Sequence, residues 1–195
     1  MKKIAVFASG NGSNFQVLLD AVTKGDFQAE VSLLVCDRPG AFVIERAENA
    51  AVPLFVFNPK EFKDKAEYES QILSRLKQKN VEWIILAGYM RLIGTTLLQA
   101  YEGKIVNIHP SLLPAFPGKD AVGQALEAGV KETGVTVHYV DAGMDTGEVI
   151  AQEAVEIIPG ETRESLQAKI QKVEHRLYPA VVKTLLNGEK EVTSI

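Results

Sequence analysis

Across residues 1–100 short β-rich runs alternate with stretches of helical periodicity, and this alternation constrains the fold more than any other feature of the chain. Lys3 to Ala8 is such a run. It ends in Ser9-Gly-Asn-Gly-Ser-Asn14, and Phe15 to Val22 then carries apolar residues at helical spacing. The pattern recurs as strand Val31 to Cys36 with helix Phe42 to Asn49, and as strand Leu54 to Phe57 with helix Lys65 to Lys79. It recurs again as strand Trp83 to Ala87 with a helical turn near Thr95 to Tyr101, followed by strand Lys104 to Ile108. Strands separated by helices pair in parallel, and right-handed crossovers put the helices on both faces of the sheet. Ligands then bind beyond the carboxyl ends of the strands, near the switch in strand order. The expected class is therefore α/β, with a Rossmann-like, mostly parallel twisted sheet.

Beyond Ile108 the texture changes to a proline-rich loop (Pro110, Pro114, Pro117), a helix from Asp120 to Ala128, and two strands, Gly134 to Val140 and Glu148 to Ile157. The glycine-rich loop Asp141 to Gly147 joins them as a late antiparallel pair and is long enough to carry side chains into a cleft. A long C-terminal helix, Arg163 to Leu186, shows one apolar stripe (Leu166, Ile170, Val173, Leu177, Val181, Leu185), with Pro179 as an expected kink. At 195 residues and 46% hydrophobic content, one domain spanning 1–195 is expected, in two halves, 1–100 and 101–195.

Several function classes lose support. The longest apolar run, Trp83 to Met90, falls far short of the roughly 18 residues a membrane span requires. Lys2 and Lys3 precede too few apolar residues for a signal peptide, so a cytoplasmic location is expected. The lone Cys36 forms no internal disulfide. A net charge of -4 with no basic block offers no footprint for nucleic acid, so a small-molecule substrate is expected. His109, His138 and His175 lie far apart in sequence, without metal-ligand spacing, so no metal is expected.

Two places carry chemistry. In a strand, residues i and i+2 point to the same side, so Asn107 and His109 project together, and Pro110 holds His109 at a stiff strand end. Gly10-Asn11-Gly12-Ser13-Asn14 opens the first helix, where unpaired N–H groups and the positive helix end attract an anion. A dinucleotide fingerprint would need a third glycine where Phe15 stands, so a phosphomonoester fits the loop better. Asp37, after the second strand, keeps a nicotinamide-dinucleotide alternative open as a ribose ligand, although Arg38-Pro39-Gly40 also reads as a plain turn.

Ser9-Gly-Asn-Gly-Ser-Asn14, Gly88-Tyr-Met-Arg-Leu-Ile93, Asn107-Ile-His-Pro-Ser-Leu-Leu-Pro114 and Asp141-Ala-Gly-Met-Asp145-Thr-Gly147 together resemble the folate-dependent formyltransferase family, in its phosphoribosylglycinamide formyltransferase branch. The resemblance implies an enzyme of purine (IMP) biosynthesis that uses 10-formyltetrahydrofolate as co-substrate and glycinamide ribonucleotide as acceptor. It implies a catalytic set of Asn107, His109 and Asp145, with Asn107 and protonated His109 stabilising a tetrahedral oxyanion and Asp145 raising the imidazole pKa. By the same resemblance Gly12, Ser13 and Asn14 hold the substrate phosphate and Glu174 the ribose. Lys65, Met90, Arg91, Leu92, Ile93, Asn107, Val140 and Asp141 line the folate site. Residues 1–100 then form the phosphate-binding half and 101–195 the catalytic and folate-binding half. Lys65 stands where arginine is frequent in the family, and loses the bidentate fork. A tRNA formyltransferase or a formylfolate hydrolase remains the close alternative; the sequence leaves oligomeric state open.

Overall fold

The computed structural model describes residues 1–188; residues 189–195 of the expected 1–195 domain lie outside the described residues. The chain divides into two compact units, Met1–Asn107 and one beginning at Ile108. The change of texture after Ile108 falls at this boundary, whereas the expected halves, 1–100 and 101–195, divide a few residues earlier, placing the whole of the last parallel strand in the second half.

In the first unit, strands β1 (Lys2–Ala8), β2 (Ala29–Cys36), β3 (Leu54–Val56), β4 (Trp83–Leu86) and β5 (Ile105–His109, which runs across the boundary) alternate with helices. These helices are α1 (Ser13–Lys24), α2 (Phe42–Asn49), α3 (Lys65–Gln78) and α4 (Thr95–Ala100). β1 pairs in parallel with β2 and β4, β2 with β3, and β4 with β5. β1 and β2 read as near-continuous apolar runs because both faces are covered: Ile4 to Ala8 and Leu33 to Cys36 are all buried. Val43 and Ala47 of α2, Leu18 of α1, and Ile72 and Leu76 of α3 complete this core.

The second unit contains α5 (Ala121–Glu127), β6 (Glu132–Tyr139), β7 (Val149–Glu156) and α6 (Arg163–Leu186). β6 and β7 are antiparallel, with Glu132 opposite Glu156 and His138 opposite Val149. The sheet order is β3-β2-β1-β4-β5-β6-β7, mostly parallel with one antiparallel edge pair, which is an α/β Rossmann-like arrangement.

Helix α6 packs on β6 and β7. Its buried face comprises Leu166, Ile170, Glu174, Leu177, Tyr178, Val181, Val182 and Leu186, so it is rotated from the expected stripe, in which Val173 and Leu185 stood. The rotation buries Glu174, and Pro179 lies inside the helix. The side chain of Thr162 starts α6 by accepting the Ser165 N–H. No described helix is long and apolar enough to cross a membrane.

Candidate active site

His109 ends β5 and is 5% exposed. Its Nε2 lies 2.9 Å from the Phe116 carbonyl oxygen. A carbonyl only accepts, so Nε2 carries the hydrogen in the neutral ring and Nδ1 is the nitrogen with the lone pair. Nδ1 faces the carboxylate of Asp145, 3.5 Å from Oδ2. Asp145, which the sequence places in the β6–β7 loop, adopts a left-handed conformation (φ 55) that aspartate tolerates better than most residues. Its Oδ2 also accepts the Gly118 N–H at 2.8 Å.

The loop that presents Phe116 is itself tied down. Ser111 Oγ donates to the Ala115 carbonyl at 2.6 Å. Thr136 Oγ1, on β6, donates to the Ser111 carbonyl at 2.7 Å and accepts the Leu113 N–H at 3.1 Å. Gln152 of β7 bonds both Thr136 Oγ1 and the Leu113 carbonyl at 2.8 Å. Buried polar groups satisfied in this way rigidify the segment, and the imidazole orientation inherits that rigidity.

His138 was not singled out by sequence for this site, yet its Nε2 stands 3.7 Å from Asp145 Oδ1, while its Nδ1 donates to the Tyr139 carbonyl at 2.8 Å. Two of the three histidines therefore face one carboxylate, although they are remote in sequence. Burial, the largest influence, pushes the His138 pKa down; the Tyr139 carbonyl and Asp145 oppose it. The available signal was the alternation in β6, which puts His138 on the same side as Thr136. Asp141 shapes the loop rather than the cluster, accepting from Gly143 N–H at 3.0 Å and from Thr146 Oγ1 at 2.6 Å. The Thr146 hydroxyl, followed by the Gly143 amide, holds its pKa below the usual carboxylate value. Val140 precedes it, half-buried. Asn107 is half-buried on β5, two positions before His109.

In the first unit, Gly12 is the N-cap of α1, at φ 78 and with no side-chain cap. A Cβ at Gly12 would collide with Val43 of α2, so only glycine lets α2 approach this loop. Arg46, also on α2, donates from Nε to the Asn11 carbonyl at 2.8 Å and from Nη2 to Asn11 Oδ1 at 2.9 Å. Ser13 and Asn14 follow Gly12 in the first turn, both half-buried.

Asp37 is 4% exposed and its carboxylate is engaged twice, by Ser9 Oγ and by Arg91 Nε at 2.7 Å. An aspartate so committed is not presented to a ribose, which removes the residue on which the dinucleotide alternative rested. Ser9 Oγ in turn accepts the Met90 N–H at 2.9 Å. Met90 and Leu92 are exposed (55% and 45%), whereas Ile93 is core at 4%. The Lys65 ammonium bonds the Leu92 carbonyl at 2.9 Å. Glu174 in the second unit is 7% exposed, not the solvated helix-surface glutamate its sequence position suggests. Among the described residues no group of three or more His, Cys, Asp or Glu side chains is disposed to hold a metal ion.

A Rossmann-like sheet carries a glycine-capped helix start in the first unit, and the second unit holds a carboxylate–imidazole pair at a strand end. Residues 2–182 match the formyl transferase family, and the chain belongs to it. It is 59% identical to phosphoribosylglycinamide formyltransferase of Bacillus subtilis (strain 168), over 97% of this chain and 100% of that protein. The crystal structure of glycinamide ribonucleotide transformylase 1 from Geobacillus kaustophilus superposes with a TM-score of 0.93 at 67% identity, covering 95% of this chain and 99% of that one. The trifunctional purine biosynthetic protein adenosine-3 of Drosophila melanogaster is 42% identical over 96% of this chain, which covers 14% of that longer protein.

Proposed function

We propose that this formyltransferase moves the formyl group of 10-formyltetrahydrofolate to the amino group of glycinamide ribonucleotide in de novo purine biosynthesis. The observation that carries the reading is the His109–Asp145 pair with its tautomer set by Phe116, in a chain similar over 97% of its length to the Bacillus subtilis enzyme.

The substrate amine attacks the formyl carbon, so the protein supplies no nucleophile. Its task is to stabilise the oxyanion and to let a proton pass from the attacking nitrogen to N10 of the folate. The Asn107 amide donates one bond to that oxygen. Protonated His109 donates a second from Nδ1, the nitrogen that Phe116 does not engage. A separation of 3.5 Å from Asp145 is an ion-pair distance rather than a tight hydrogen bond, so the carboxylate stabilises the imidazolium without monopolising its proton.

Gly12, Ser13 and Asn14 offer helix-start N–H groups to the substrate phosphate, and Glu174 accepts from the ribose hydroxyls. Met90, Arg91, Leu92, Ile93, Val140 and Asp141 line the folate site. Lys65, spent on the Leu92 carbonyl, acts on folate through that loop. Such an enzyme works in the cytoplasm, on small molecules, with no metal.

The deciding experiment follows folate deformylation by absorbance with glycinamide ribonucleotide, initiator tRNA or water as acceptor. Strict dependence on glycinamide ribonucleotide supports the reading. Preference for tRNA or water overturns it.

A further inference from the structure

The segment Gly88–Gly94 is fastened at both ends within the first unit. At its start, Ser9 holds the Met90 amide and Asp37 holds Arg91. At its end, Glu69 of α3 accepts the Gly94 N–H through Oε1 at 2.6 Å, and one turn earlier on the same helix Lys65 holds the Leu92 carbonyl. Glu69 is 2% exposed, and its Oε2 has no hydrogen-bond partner among the described residues. Gly94 fits closely against it: a Cβ there would stand 2.8 Å from both Glu69 Oε2 and Lys65 Cδ.

Burying a carboxylate with one oxygen unshared is costly, and burial raises the Glu69 pKa, with the Gly94 and Leu97 amides opposing. An apolar side chain would fill this place in the α3 core at lower cost. What it could not do is accept the Gly94 amide.

We propose that Glu69 is a positioning residue for the formyl donor, fixing the Met90–Ile93 backbone that meets the pterin ring. The inference rests on the reading, given above, that Met90 to Ile93 line the folate site. A flat heterocycle recognised by main-chain groups demands that those groups hold their positions, and a displacement of about 1 Å can cost roughly a hundredfold in rate.

The test is steady-state kinetics of Glu69→Ala and Glu69→Gln with each substrate varied, alongside tetrahydrofolate binding to the same proteins by fluorescence quenching. Glu69→Ala is expected to raise KM for 10-formyltetrahydrofolate roughly tenfold, the effect of losing a hydrogen bond to a charged acceptor, and to leave KM for the ribonucleotide unchanged. Glu69→Gln, whose amide oxygen still accepts, is expected to restore most of the donor affinity. The proposal is overturned if both KM values move together, if only kcat falls, or if Gln is as impaired as Ala. Should Glu69→Ala fail to fold, Gly94→Ala, which presses on the carboxylate from the opposite side, must show the same donor-selective loss or the proposal falls. Failure of the parent reading looks different: the unaltered protein would not bind tetrahydrofolate at all.

Discussion

Asp145 meets His109 from a left-handed backbone position, its carboxylate 3.5 Å from Nδ1 and its Oδ2 also held by the Gly118 amide. The acid is therefore fixed by main chain on one side and faces the imidazole Nδ1 on the other. His109→Ala and Asp145→Asn should each lower kcat by roughly 10²- to 10⁴-fold, the usual worth of a placed acid–base group. Circular dichroism should show both folds intact. Near-normal turnover in either purified variant would remove the assigned roles.

The same carboxylate faces His138, whose folded pKa is pushed below 6.5 by burial. The unfolded chain therefore binds more protons than the folded one as pH drops past 6.5, and stability is lost in that direction by up to about 1.4 kcal/mol per pH unit per proton. Urea melts across this range should show the decline. In His138→Gln the slope should flatten; an unchanged slope would mean that His138 is not its source.

Gly12→Ala puts a methyl group against Val43 at φ 78. A strained position of this kind costs about 1–3 kcal/mol, so thermal unfolding should shift down. Affinity for the ribonucleotide should fall while that for tetrahydrofolate holds. Equal affinities for the ribonucleotide in the two proteins would detach this loop from the phosphate.

Thr162→Ala removes the side chain that caps α6. A loss of about 0.5–2 kcal/mol is expected, lowering Tm by a few degrees with kcat/KM unchanged. Calorimetry together with the standard assay checks both halves of that statement.

The sheet was legible because period-2 and period-3.6 patterns are local: the expected boundaries of α2 (Phe42 to Asn49) and α6 (Arg163 to Leu186) coincide with the structure. What local pattern does not carry is which polar residues are buried. Glu69 and Glu174 are both buried on their helices, because tertiary contacts rather than periodicity decide which flank of the apolar stripe is covered. The same limit hid His138, which joins Asp145 only through the folding of β6 and its loop, and Phe116, whose contribution to the site is a backbone carbonyl that no side-chain motif marks. The position of Asp37 after β2 is equally compatible with a ribose ligand, and only the Ser9 and Arg91 contacts reveal its internal use.

The seating of α2 on the loop at Gly12 separates where an anion would be bound from where that binding is tuned. Val43 sets how closely the loop can be pressed, and Arg46 sets the carbonyl and amide directions of Asn11. Variation confined to a neighbouring helix, and touching no ligand, could thus retune phosphate affinity, which makes α2 the natural place to engineer it.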